Sequence, residues 1–265
     1  MTIVQAIILA IVEGLTEFLP VSSTAHMKFT NPLLGLSDSP FLDMFEIVIQ
    51  LGAILSVIVL YWKKFVQFGK LPFYIKLLIA LLPAVVFGVL LKKHIDQALS
   101  NLVFMACVMV GGGIILLFVD NFFTNPTIHN EEQITNRNAF IIGCFQVFSI
   151  IFPGLSRSAA TIIGGMSQKL DRSTAAEFSF FLAVPTMFAA SVKSFYDVRK
   201  HNPEVLSESN LFILLIGSVV AFIVALLAIR FFISYLQKHG FKLFGYYRIA
   251  LGLIVLVLVF TGLMK

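Results

Sequence analysis

Six runs of apolar residues, at about 44–61, 77–91, 102–119, 177–195, 211–229 and 245–263, come close to the roughly 20 residues that a helix needs to cross a bilayer. Two further apolar regions, 3–30 and 139–168, have a different pattern. Each is broken by a proline followed by small polar residues: Pro20-Val-Ser-Ser-Thr in the first and Pro153-Gly-Leu-Ser-Arg-Ser in the second. The halves on either side are about 15 residues long, too short to span upright. This pattern predicts re-entrant hairpins: a half-helix in, a polar turn near mid-membrane and a half-helix back. Backbone exposed at that depth is tolerated only where it lines a cavity.

The order of elements repeats: a broken hairpin, then three spans. A shift of 133 pairs Glu13 with Gln146, Thr16 with Ser149, Pro20 with Pro153 and Ser23 with Ser156; a shift of 131 pairs Glu46 with Glu177 and Leu51 with Leu182. Three spans is an odd number, so the second copy would enter from the opposite side. The expected fold is therefore an all-α polytopic membrane protein with about six transmembrane helices. Its two re-entrant helical hairpins belong to an inverted-topology repeat whose tips meet near the midplane. Residues 1–265 form one membrane domain, with repeat 1 at about 1–121 and repeat 2 at about 134–263.

Composition agrees. The chain is 58% hydrophobic and 12% charged, half the charge of an ordinary soluble domain. The connections 121–138 and 193–210 are too short to fold alone. The N-terminus lacks a basic region and Glu13 interrupts its apolar stretch, so no cleavable signal is expected. Cys107 and Cys144 lie in apolar segments and read as packing residues. The net charge of +5 suits lipid headgroups and topology, not nucleic acid.

Orientation follows from Lys and Arg. One side would hold Lys63, Lys64, Lys70, Lys76, Arg137, Lys169, Arg172, Arg230, Lys238, Lys242 and Arg248. The other would hold Lys28, Lys92, Lys93, Lys193, Arg199, Lys200 and Lys265. Eleven against seven makes the first side cytoplasmic and the termini external.

The polar residues inside the broken regions carry the candidate chemistry, because an ionisable group at membrane depth costs roughly 2.5–3.5 kcal/mol and persists where it faces a functional cavity. Glu13 and Glu17 share a helix face. Such a pair either shares a proton or holds a cation, and both suit phosphoryl chemistry, with Mg²⁺ or Ca²⁺ as the divalent ion. Ser22, Ser23 and Thr24 can cap the following half-helix and offer hydroxyls and N–H groups to phosphate. Ser23 lies three residues before His26, close enough for the histidine to activate its hydroxyl or, alternatively, a water. Arg157 offers planar paired donors to phosphate oxygens, and Ser156, Ser158 and Thr161 add to them. Gly154 allows close backbone approach. Glu46, Gln50 and Glu177 read as supporting groups or helix–helix pairs, and Gly111, Gly112 and Gly113 as close helix packing. His94, His129, His201 and His239 sit in polar connections and read as solvated.

EGLTEFLPVSSTAH at 13–26, PGLSRSAAT at 153–161, FEIVIQLGAI at 45–54 and AAEFSFFLAVPTM at 175–187 closely resemble the undecaprenyl pyrophosphate phosphatases of the bacitracin-resistance family. The resemblance covers essentially the whole chain. It implies hydrolysis of undecaprenyl diphosphate to undecaprenyl phosphate and inorganic phosphate in the bacterial plasma membrane. This recycles the lipid carrier for cell-wall synthesis and confers bacitracin tolerance. The family's two-carboxylate motif falls on Glu13 and Glu17, its serine and histidine on Ser23 and His26, and its arginine-serine motif on Ser156, Arg157, Ser158 and Thr161. The resemblance also implies a need for a divalent cation, the capacity to form a homodimer and a site open to the outer face. Ala25 and Ala159 stand where the family usually has glycine. A transporter or flippase of an anionic prenyl lipid is the alternative, since broken helices and inverted repeats also serve transport.

Overall fold

The computed structural model describes residues 1–66 and 71–264; Lys70 and Lys265, both used in the charge count, lie outside them. Twelve α-helices are present among the described residues. The first half contains α1 (Ile3–Thr16), α2 (Ser23–Leu33), α3 (Pro40–Leu60), α4 (Trp62–Val66), α5 (Leu71–Leu90), α6 (Lys92–Leu99) and α7 (Leu102–Phe122). The second contains α8 (Asn136–Ile151), α9 (Arg157–Ser167), α10 (Arg172–His201), α11 (Glu208–His239) and α12 (Lys242–Phe260).

Six of these helices, α3, α5, α7, α10, α11 and α12, are long and apolar enough to cross a membrane, matching the six apolar runs. Several exceed the predicted spans because charged residues continue the helix past the apolar stretch. At 32 residues α11 would reach roughly 48 Å, well beyond the hydrocarbon core. Leu78, Leu82, Phe118, Leu227 and Ile254 are exposed, as lipid-facing side chains are.

The two broken regions fold as helix, turn, helix. Thr2 and Thr135 open α1 and α8 with the same capping box, which supports the 133-residue shift over these helices. The second arms follow a different register. Ser22 caps α2 and Ser156 caps α9, so Ser22 rather than Ser23 is the counterpart of Ser156. Helix α8 has 16 residues against 14 in α1, its turn is one residue shorter, and the shift therefore grows by one across the turns.

Helix α1 packs on α11 and α8 on α5, while α3 meets α10 and α7 meets α12. The first pair of contacts exchanges the halves; the second pair joins equivalent spans. Small residues allow this approach, as membrane helix contacts require. A Cβ on Gly14 would meet the Ala221 carbonyl, and one on Gly143 would meet Ala80. Of the three consecutive glycines, Gly113 faces Gly245 and Gly112 faces the Arg248 guanidinium, whereas a Cβ on Gly111 would meet no described atom within 4 Å. Cys107 and Cys144 are exposed free thiols, not packing residues.

Arg248 corrects the charge count. It lies inside α12 and is fully buried, so it is not in a connection; its removal leaves ten against seven. The orientation of the count is unchanged.

Candidate active site

The two turns meet. Arg157, the first residue of α9, reaches into the first turn, where its Nη2 donates to Glu17 Oε1 at 2.8 Å. Ser158 Oγ donates to the Leu19 carbonyl at 2.8 Å. Arg248 ties both turns to the bundle. Its Nη1 donates to the carbonyls of Pro20 (3.0 Å) and Leu155 (2.7 Å), its Nη2 to Gly154 (2.9 Å) and its Nε to Met109 (3.2 Å). A buried guanidinium thus serves carbonyls that the broken helices leave exposed.

The turns also share a strained backbone. Ser22 has φ 72° and Ser156 has φ 78°, a region that costs a non-glycine residue about 1–3 kcal/mol and clusters at functional sites. Each serine side chain accepts from an N–H in its own helix, Ala25 for Ser22 and Ala159 for Ser156. The backbone N–H at these two positions therefore serves a cap. By helix geometry the N–H groups of Ser23, Thr24, Arg157 and Ser158 remain without intrahelical partners. Gly154, at φ 100°, lets the second turn press on the Met105 carbonyl.

A cavity of about 300 Å³ opens between the turns, within the range of small-ligand sites. Glu17, Ser22, Ser23, Thr24, Ser156 and Arg157 line it, with Gln146 and Ser149 from α8. Its apolar wall comes from Gly88, Ile95, Leu99, Ile150 and Met187.

The sequence-predicted residues divide by position. Glu17 accepts from Arg157 and, through Oε2, from Ser23 Oγ at 2.6 Å. Glu13 is fully buried and is not among the residues that line the cavity, and neither of its carboxylate oxygens has a hydrogen-bond donor among the described residues. Glu17 and Glu46 are its acidic neighbours and Arg157 its basic one. Ser158 and Thr161 turn inward: Ser158 to Leu19 and Ser156, Thr161 to the Arg157 carbonyl and Ser179 Oγ. Neither lines the cavity.

His26 differs most from expectation. Its Nδ1 lies 2.7 Å from the Ser22 carbonyl and its Nε2 2.7 Å from the Tyr247 hydroxyl. A carbonyl only accepts, so Nδ1 carries a proton, and Nε2 shares its hydrogen bond with the Tyr247 hydroxyl. Neither nitrogen is spent on Ser23, whose hydroxyl is on Glu17 instead.

Supporting pairs fix the frame. Glu46 accepts from Asn31 Nδ2 at 2.7 Å and pairs with Lys28 at 3.3 Å, joining α2 to α3. Glu177 pairs with Lys64. The four other histidines are exposed, yet His94 still hydrogen-bonds the Ile151 carbonyl at the end of α8.

Sequence reading missed Tyr247, Arg248 and Ser179, whose carbonyl accepts from Arg157 Nη1 at 2.9 Å. Arg248 carried a usable signal, an arginine four residues into the predicted span 245–263. Tyr247 and Ser179 carried none, because their importance comes from tertiary contacts 221 and 22 positions away.

Among the described residues no three His, Cys, Asp or Glu side chains are grouped to hold a metal ion. A two-carboxylate pair with one donor-free member still fits Mg²⁺, which commonly takes one or two carboxylates and completes its shell with water and substrate phosphate.

Broken helices meet inside a bundle of membrane-length apolar helices and set buried carboxylates against an arginine. The family model described as bacitracin resistance protein BacA matches residues 6–254, and the chain belongs to that family. It is 57% identical over 261 residues to the undecaprenyl-diphosphatase of Flavobacterium johnsoniae, covering 98% of this chain and 97% of that protein. It is 49% identical over 278 residues to the enzyme of that name from Porphyromonas gingivalis strain ATCC 33277, covering 99% and 98%. With that of Bdellovibrio bacteriovorus it shares 43% over 264 residues, covering 99% and 98%.

Proposed function

We propose that this protein hydrolyses undecaprenyl diphosphate to undecaprenyl phosphate and inorganic phosphate, so returning the lipid carrier to cell-wall synthesis and conferring bacitracin tolerance. The observation that carries the proposal is the junction of the two turns at Glu17 and Arg157 on one cavity, in a family whose curated relatives bear that activity in their names.

The substrate head would sit in the cavity and the prenyl tail would leave along its apolar wall. Arg157 and the first-turn N–H groups of α2 and α9 would receive the phosphate oxygens, as free N–H groups at helix starts do for anions. Charge grows on the equatorial oxygens of the terminal phosphorus during transfer, and preset donors there stabilise it most. The attacking oxygen, Ser23 Oγ or a water, forms a bond to the terminal phosphorus. The anhydride bond breaks and undecaprenyl phosphate leaves with the bonding electrons; where Ser23 attacks, a water then attacks the phosphoserine phosphorus, the serine–phosphate bond breaks and inorganic phosphate leaves as Ser23 regains its proton. Glu17 holds Ser23 and is the group placed to accept its proton. Ser22, Thr24 and Ser156 present hydroxyls or caps at the same wall, while Ser158 and Thr161 hold the second turn in place. His26 supports the Ser22 carbonyl, and so the strained first turn.

Glu13 and Glu17 would hold a divalent cation, Mg²⁺ or Ca²⁺, which when bound neutralises phosphate charge. The cavity borders the end of α5 and the short α6, on the side poorer in Lys and Arg, which supports a site open to the outer face of the plasma membrane. A homodimer is also proposed, and chromatography with light scattering would test it. The packing exchange between the halves supports an inverted repeat.

The test is phosphate release from undecaprenyl diphosphate by purified protein in detergent. Steady release that Arg157→Ala abolishes in a folded protein is expected. Binding without release would favour lipid carriage instead.

A further inference from the structure

Gln146 sits in α8 and lines the cavity. It is 1% exposed, and neither Nε2 nor Oε1 has a hydrogen-bond partner among the described residues. A buried amide left in that state is unfavourable, and a methionine of similar length would be more stable there. Arg157 lines the same cavity and has the same feature: Nη1 and Nη2 are engaged by Ser179 and Glu17, while Nε is buried and has no hydrogen-bond partner among the described residues. The cavity thus holds two unspent N–H donors, one of them charged.

Position adds a second argument. Thr2 and Thr135 begin their helices with the same cap, and Glu13 and Gln146 stand at the same distance after them. The first half has a carboxylate there and the second a neutral amide. An amide can donate to a phosphate oxygen where a carboxylate would repel it.

We propose that Gln146 is a substrate-binding residue whose Nε2 donates to an oxygen of the diphosphate beside Arg157 Nε. The proposal rests on the diphosphatase function given above. It makes the second turn and its entering helix a single anion cradle, and it separates the tasks of Glu13 and Gln146.

The experiment uses the full-length protein in detergent with Gln146→Met. Steady-state release from undecaprenyl diphosphate, inhibition by inorganic pyrophosphate and thermal unfolding are measured together. The expected result is an unchanged or higher Tm, with KM and the pyrophosphate inhibition constant each raised about tenfold or more, the scale of a lost hydrogen bond to a charged group, and a smaller change in kcat. Gln146→Glu should weaken pyrophosphate inhibition further. A folded Gln146→Met protein with unaltered KM and pyrophosphate inhibition overturns the proposal, although wild-type turnover would leave the diphosphatase function standing. If wild type releases no phosphate, that function fails, and the thermal shift produced by pyrophosphate in wild type against Gln146→Met still decides Gln146. Should Gln146→Met not fold, Gln146→Asn, which withdraws the amide by one methylene, is read in the same way: raised constants support the contact and unaltered ones overturn it.

Discussion

Arg157 and Glu17 stand 140 positions apart, and their charged groups meet at 2.8 Å with side chains 10% and 3% exposed. One pair thereby joins the turn of each half. Breaking a buried pair strands the remaining charge, at a cost of about 3–5 kcal/mol. Arg157→Ala should lower phosphate release by about 100-fold or more, the scale for losing a preset donor to a charged transition state, and should also lower the unfolding temperature. Activity and thermal denaturation on the same preparation check both.

Arg248 does not itself line the cavity, yet its guanidinium serves four carbonyls, two of them in the second turn and one in the first. Arg248→Met would leave those acceptors buried without donors. The expected outcome is a fall in Tm larger than for Arg157→Ala, with activity lost alongside it. Arg248→Lys, which lacks the planar fork, should recover part of the stability and little of the activity.

Tyr247→Phe removes the hydroxyl on His26 Nε2 while keeping the ring that lies 5.6 Å from the imidazole in a parallel plane. Turnover should fall by about tenfold, the scale of one hydrogen bond, and less than in His26→Ala, which also releases the Ser22 carbonyl. A Tyr247→Phe protein as impaired as His26→Ala would place Tyr247 itself at the chemistry.

Glu13 separates cation binding from phosphate binding. Chelation should abolish release and added Mg²⁺ or Ca²⁺ should restore it. Glu13→Gln should raise the cation concentration needed for half-activation by at least about tenfold, while Arg157→Lys should leave that concentration near the wild-type value and raise KM. The two titrations run side by side decide it.

Asp171, ahead of α10 and outside the spans, gives a pH signature. Burial acts to raise its pKa, but the Thr174 N–H and the His129 ring outweigh burial and hold the carboxyl below its ordinary value. A depressed folded value means that the stabilisation is complete above the unfolded pKa of about 4 and disappears as pH falls through the lower folded value. Asp171→Asn should therefore cost stability at neutral pH and flatten the acid limb of a Tm-against-pH curve.

Much of the fold was legible because membrane burial forces it. Apolar length gave the six spans, and a proline followed by serines marked both turns. The meeting of Glu17 with Arg157 followed from the repeat, since isolated charges in an apolar bundle need partners. The serine–histidine contact did not follow. Spacing put Ser23 and His26 on one helix face, but hydroxyl direction depends on the carboxylate that arrives from α1, and the imidazole on a tyrosine from α12. Arg248 was misplaced because hydropathy measures the neighbourhood of a residue, not the carbonyls a broken helix leaves unserved. Gln146 was visible only as the partner of Glu13, because an unsatisfied amide is a property of three-dimensional packing.

The most direct measurement of the central claim, that both turns act on one diphosphate, is a double-mutant cycle of phosphate release with Glu17→Asp, Arg157→Lys and the pair together, each confirmed folded. Two groups on one reacting phosphate couple, so the double variant should be far less impaired than the product of the two single losses. Losses that multiply independently would mean that the turns serve separate tasks, and would contradict a shared site.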